Sequence, residues 1–186
     1  MKAHDLLEDI YDTIVNNGSF YFVPTRGSMM DLHIREATKN DYDIIHHIQK
    51  QVHELHTKER PDHYKMADTT LDREYFNSLI DGEYTRVFLL EDEQPIAYSI
   101  LTIKNTAERP ILVPRKVVYM DDFGVDRKYR GKGMGKLFFG KIVEFAKRME
   151  ADSLELGVWE FNEDAIKFYE SMKLETKTRL MGIDLK

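Results

Sequence analysis

Val117–Lys141 reads VVYMDDFGVDRKYRGKGMGKLFFGK, and this stretch decides how the chain is organised. Val118 and Met120, then Phe123 and Val125 after two aspartates, alternate as a strand does. The charged turn Asp126 to Tyr129 leads into a glycine-rich loop, and Leu137, Phe138, Ile142, Phe145, Ala146 and Met149 then recur at helical spacing. Gly131, Gly133 and Gly135 remove every second side chain just before that helix, so successive backbone N–H groups can converge on one anion at its positive end. Arg130, Lys132 and Lys136 add positive charge. The local chemistry is a phosphate cradle. At ~1.5 to 3 kcal/mol for each hydrogen bond to a charged group, several such contacts suffice for micromolar holding.

Outward from this stretch, the apolar patterning predicts the order βααβββαβαβ from residue 32. Leu32 to Arg35 reads as a strand, and Thr38 to Asp41 caps a helix running to about Thr57 with Ile44, Ile48, Val52 and Leu55 as its apolar face. A second helix spans Leu71 to Ile80, closed by Asp81 and Gly82, and Arg86 to Glu91 and Ile96 to Ile103 form a hairpin. After the central stretch come a strand from Ser153 to Val158, a helix from Asn162 to Met172 and a last strand over Thr176 to Leu185. The expected class is α/β (α+β), a mixed and mostly antiparallel central sheet with helices on both faces.

With 186 residues, 42% hydrophobic, the chain has room for one domain, 31–186, and a short extension, 1–30, carrying a helix and a strand. Its 33 acidic and 27 basic residues give a net charge of -6, which argues against nucleic-acid or anionic-membrane partners. The absence of cysteine excludes disulfides and thiolate chemistry. No long apolar run is present, and a cytoplasmic protein is the expectation. His53-Glu54-Leu55-His56 lacks the H-E-x-x-H spacing of a zinc protease helix, and no metal is expected although His46, His47 and His63 lie nearby. Residues 24–30, PTRGSMM, resemble the nucleophile segment of signal-peptidase-like serine peptidases, with Ser28 as the serine, but the likeness stops at Asp31.

Two common phosphate loops fail on spacing. A Walker loop needs a hydroxyl after Gly-Lys, where Leu137 stands, and a dinucleotide fingerprint needs glycine at Lys136. What remains is R-x-x-G-x-G, carried by Arg130, Gly133 and Gly135. Together with the strand DDFGV and the later helix NEDAIKFYESMKL, it resembles the Gcn5-related N-acetyltransferase (GNAT) superfamily over about residues 32–186, with the acyl-CoA N-acyltransferase fold. The family often closes that helix with Gly-Phe, where this chain has Lys173 and Leu174.

The resemblance implies an acetyl-CoA-dependent N-acetyltransferase. The pyrophosphate would lie on the amides of Arg130, Gly131, Lys132, Gly133, Met134, Gly135 and Lys136. Phe123 and Val125 would bond the pantetheine arm as an added strand, and Asn162 would contact the donor. Tyr169 would be the general acid for the leaving thiolate, and a backbone N–H near Phe123 would hold the oxyanion. A primary amine with pKa near 10.4 costs about 4 to 5 kcal/mol to deprotonate at neutral pH, so a carboxylate base is wanted. Alternation sends Asp121 and Asp122 to opposite faces, and Asp121, in phase with Phe123 and Val125, is the favoured base. Glu54, His53 and His56 are reserves. The partner is a small-molecule or peptide amine, with a homodimer as the optional assembly. The competing expectation is a non-catalytic acyl-CoA sensor or partner-binding module.

Overall fold

The apolar run PIAYSILTIKN becomes β3 (Pro95–Asn105), buried from Ile96 to Leu101, as the middle strand of a five-stranded sheet must be. In the computed structural model, residues 32–106 and 109–185 are described, so the expected N-terminal helix and strand and Ser28 lie outside the described residues. β1 (His33–Glu36), β2 (Thr85–Glu91), β3 and β4 (Lys116–Val125) are antiparallel neighbours in that order. β5 (Ser153–Leu156) then runs parallel to β4 at the end of the sheet.

Alternation along the strands gives the sheet two apolar faces. On one, Val87, Leu89, Tyr98 and Ile100 pack with Tyr42, Ile45 and Ile48 of α1 (Tyr42–Glu59) and Phe76 and Leu79 of α2 (Arg73–Asp81). On the other lies α3 (Met134–Arg148), whose Phe145 ring meets Phe88 of β2 edge to face at 5.0 Å. The buried stripe of α1 runs through Ile45, Ile48 and Gln51, and Leu55 is exposed. The expected stripe through Val52 and Leu55 is therefore rotated, because Gln51 is needed inside.

The chain divides after Leu156 into two compact units. The second holds α4 (Glu163–Ser171), whose N-cap Asn162 accepts from the Ala165 N–H at 3.2 Å. Among the described residues, 174–185, expected to include the last strand, carry no regular secondary structure. The observed order is thus βααβββαβα.

Both α3 and α4 end in the same hydrogen-bonded turn, with a left-handed residue where glycine is usual. Lys173 (φ 70) donates to Glu170 C=O and Leu174 to Tyr169 C=O; Glu150 (φ 53) donates to Lys147 C=O and Ala151 to Ala146 C=O. Lys173 and Leu174 therefore do the work of the family's Gly-Phe. Because a side chain in this conformation costs ~1 to 2 kcal/mol, Lys173→Gly and Glu150→Gly should each raise stability by about 0.5 to 1 kcal/mol after the loss of unfolded-state stiffness. Urea melts of the variants check this.

The entry to α1 is fixed by charge. The Asp41 carboxylate accepts from Thr38 N–H (2.7 Å) and hydroxyl (2.9 Å) and forms a two-pronged pair with Arg35 (2.8 and 2.9 Å), which also holds Glu91. The Arg35 guanidinium, helped by Thr38, lowers the Asp41 pKa from 3.8 to about 2. A depressed carboxylate stabilises the fold above its unfolded pKa and loses that contribution as pH falls through the folded value. Asp41→Asn should thus cost about 1 to 2 kcal/mol at pH 7, after discount for the half-exposed arginine, and nothing near pH 2. Denaturant midpoints of both proteins across that range test the sign.

Candidate active site

The strand–loop–helix read first in the sequence is closed on itself by aromatic rings. Phe123 near the end of β4 stacks on Phe138 of α3 (5.6 Å, 24°) and meets Phe139 edge-on (6.1 Å). Both α3 rings are fully buried, so the intervening loop is a short excursion with anchored ends. Within it, Asp126 caps a 3-10 turn (Arg127–Tyr129) by accepting from Lys128 N–H at 2.8 Å. Gly131 (φ 72) and Gly133 (φ 84) take the left-handed conformation that only glycine adopts cheaply, and a Cβ built on either meets nothing within 4 Å. Gly133 is the N-cap of α3, with no side chain capping the first turn and no acidic residue in it. Open space, N–H groups and a helix dipole therefore converge. Lys132 Nζ lies over the Tyr129 ring at 5.6 Å. Lys136 is exposed, Gly135 half-buried, and Met134 buried, so Met134 offers only its backbone.

β5 pairs with β4 from Val117 to Met120, so among the described residues the β4 edge beyond Asp121 has no paired strand on that side. The Asp126 N–H donates to Ile96 C=O on β3 (2.9 Å), and alternation turns the polar backbone of Val125 and Phe123 the other way, toward that opening. The Val125 carbonyl accepts from Arg130 Nε at 2.8 Å, which holds the arginine at the mouth of the loop.

The two aspartates do not separate as alternation predicts. The β3–β4 register pairs Ile100 with Asp122 and Leu101 with Met120, leaving Asp121 as the extra residue of a bulge. Asp122 accepts from Tyr98 hydroxyl (2.6 Å) and Asp121 from Thr102 hydroxyl, and Tyr98 and Thr102 share one face of β3. Both carboxylates therefore reach the α1 side of the sheet, whereas Phe123 reaches the α3 side. Asp121 is exposed; Asp122 is half-buried and also accepts from Phe123 N–H at 2.9 Å. Burial pushes the Asp122 carboxyl above the ordinary range against the hydrogen bonds that lower it, and burial also raises the Tyr98 phenol well above its usual value. Gly124 lets this cluster form, since a Cβ there would stand 2.5 Å from the Tyr98 ring and 3.2 Å from Ile48.

Asp126 and Gln51 escaped the sequence reading. Asp126 is buried, and its carboxylate takes Gln51 Nε2 at 3.1 Å with His47 Nε2 at 3.6 Å. Burial would raise its pKa, but Lys128 N–H, Gln51 and the Lys128 and His47 charges outweigh that and lower it. Gln51 Oε1 accepts from Arg127 N–H at 2.9 Å, so one amide holds both ends of the peptide that opens the loop. Around them His47, Lys50, Glu54, Arg127 and Lys128 line an open cleft, in which Glu54 pairs with Arg127. His53 and His56 instead surround Tyr64 together with His63, at ring distances from 4.8 to 6.0 Å. Among the described residues no group of three or more His, Asp or Glu is placed to hold a metal, and no helix is long and apolar enough to cross a membrane. In the second unit Tyr169 is half-buried with its ring 5.3 Å from Phe168.

The acetyltransferase (GNAT) family model matches residues 50–173, and the chain belongs to that family. An uncharacterized N-acetyltransferase of Methanocaldococcus jannaschii is 26% identical over 150 residues, 80% of this chain and 63% of the relative. An uncharacterized N-acetyltransferase of Bacillus subtilis, YdgE, is 34% identical over 61 residues, 33% of this chain and 39% of the relative. The chain thus spans less than two thirds of either curated relative's length. A solved tetramutant of the BH1408 protein from Bacillus halodurans is 37% identical, with a TM-score of 0.80, covering 82% of this chain and 99% of that one. The fold is that of the GNAT acetyltransferases.

Proposed function

We propose that this acyltransferase moves an acetyl group from acetyl-CoA to a primary amine. The observation that carries the reading is the loop itself: two left-handed glycines with open space before a helix with no side-chain cap, beside a strand edge with no paired strand among the described residues. A phosphate fits where a Cβ would stand, and Arg130, Lys132 and Lys136 supply countercharge. The amides from Arg130 to Lys136 hold the pyrophosphate, the Phe123 and Val125 backbone lines the pantetheine arm, and Asn162 contacts the donor. Asp121 takes the proton from the amine whose nitrogen attacks the acetyl carbon. Tyr169 gives a proton to the thiolate as the carbon–sulfur bond breaks. Asp122, tied to Tyr98, holds the bulge behind Asp121 and is the rival base. The acceptor is a small molecule or peptide, and the working compartment is the cytoplasm.

Calorimetry with acetyl-CoA and a thiol-release assay over an amine panel test the proposal. Micromolar binding with thiol release on some amine is expected. Binding without release would make the protein an acyl-CoA sensor, and no binding would remove the reading. The base is identified by pH–rate profiles: Asp121→Asn should lower kcat by 10²- to 10⁴-fold and abolish the acidic limb. If Asp122→Asn does so instead, the buried carboxyl is the base.

A further inference from the structure

We propose that Gln51 is a positioning residue for the glycine loop: from inside α1 its amide sets the backbone of the turn that leads to Gly131 and Gly133, and with it the affinity for the acyl donor. The donor half of this inference rests on the function proposed above; the hold on the loop does not.

Gln51 stands on the buried stripe of α1, three residues after Ile48, where an apolar side chain would serve the core. A polar group buried there costs desolvation unless its hydrogen bonds are made. Gln51 makes them. Its Nε2 donates to the buried Asp126 carboxylate at 3.1 Å and lies 3.3 Å from His47 Nε2, while its Oε1 accepts from Arg127 N–H at 2.9 Å. These partners fix the orientation of the amide, since a backbone N–H only donates and an ionised carboxylate only accepts.

The turn beyond is closed on itself. Asp126 N–H is tied to Ile96 C=O of β3, the Asp126 carboxylate takes Lys128 N–H, the Asp126 carbonyl takes Tyr129 N–H, and the Arg127 carbonyl takes Arg130 N–H. Gln51 grips this unit at its first peptide. Glu54 also meets Arg127, but that pair joins two exposed side chains and contributes little. Gly131 and Gly133 have no side chains with which to hold their own backbone, so the fixed entry to the loop carries that task. A loop held in its binding shape loses less freedom when a ligand arrives.

A hydrogen-bond swap tests the assignment. Asp126→Asn sets a donor against Gln51 Nε2, and turning the Gln51 amide over only moves the mismatch to Arg127 N–H. Gln51→Glu sets two carboxylates together. The double variant Gln51→Glu, Asp126→Asn pairs each donor with an acceptor again. Each single variant should weaken acetyl-CoA binding in calorimetry by about 10-fold or more, and raise the donor KM more than it lowers kcat. The double variant should return to within about three-fold of the parent. Amide hydrogen exchange from Arg127 to Gly133 should quicken in the single variants and slow again in the double. All three substitutions preserve shape, so a packing role leaves every variant like the parent. Single variants that bind and exchange as the parent does, or a double variant no better than the singles, overturn the inference. Should the parent bind no acetyl-CoA, the donor reading falls, and the exchange rates alone decide whether Gln51 holds the loop. Should Asp126→Asn fail to fold, Gln51→Glu against the double variant carries the comparison.

Discussion

Gly133→Val should weaken acetyl-CoA binding by about 10²-fold or more in calorimetry if the loop holds the donor, while the protein stays folded. Two effects add. At φ 84 a branched side chain strains the backbone by ~1 to 2 kcal/mol, and its Cβ enters the open space assigned to the pyrophosphate. Losing even two charge-assisted hydrogen bonds at ~1.5 to 3 kcal/mol each accounts for the factor. Gly140 is the internal control. It too has open space around a built Cβ, but it lies inside α3 and has no positive φ. Gly140→Ala should bind acetyl-CoA normally and gain up to about 1 kcal/mol of stability from helix propensity. If the Gly133 variant binds as the parent does, the loop is not the donor site, whatever the fold.

Tyr169→Phe separates binding from chemistry. If the phenol protonates the leaving thiolate, kcat falls by roughly 10²- to 10⁴-fold and the acetyl-CoA dissociation constant stays within about two-fold, since only the transition state loses a partner. The basic limb of the pH–rate profile should vanish with it. A packing role makes the opposite pattern: turnover retained and the melting temperature lowered, because the half-buried ring against Phe168 loses its polar tip. The two patterns share no outcome.

The strand–loop–helix around the glycines was legible in the sequence because its information is local. Arg130, Gly131 and Gly133 lie within four residues, and the structure adds that Gly131 and Gly133 take left-handed backbone, which suits glycine. Helices and strands with strong periodicity were legible for the same reason. The acceptor side was not, because its geometry is set between strands. The bulge at Asp121 depends on how β4 registers against β3, and one extra residue cancels the period-2 inference that had sent Asp121 and Asp122 apart. Gln51 and Asp126 are 75 positions apart in sequence, and neither carries a motif. A polar residue on the buried stripe of an amphipathic helix, Gln51 in phase with Ile48, was the one available signal. The stretch from Thr176 to Leu185 failed differently. Its alternation is real, but alternation alone does not make a strand, and among the described residues this stretch carries none.

Gln51 also links two sites that a kinetic scheme would treat as separate. Its amide bridges α1 to the Asp126 carboxylate and the Arg127 N–H, so the helix bordering the carboxylate side and the first turn of the glycine loop are one mechanical piece. If the proposed substrates bind there, an amine that prefers one setting of α1 would change acetyl-CoA affinity, and acetyl-CoA would change the amine's affinity by the same factor. The sign of that reciprocity would show as the same factor in both binding constants, with neither ligand obliged to bind first.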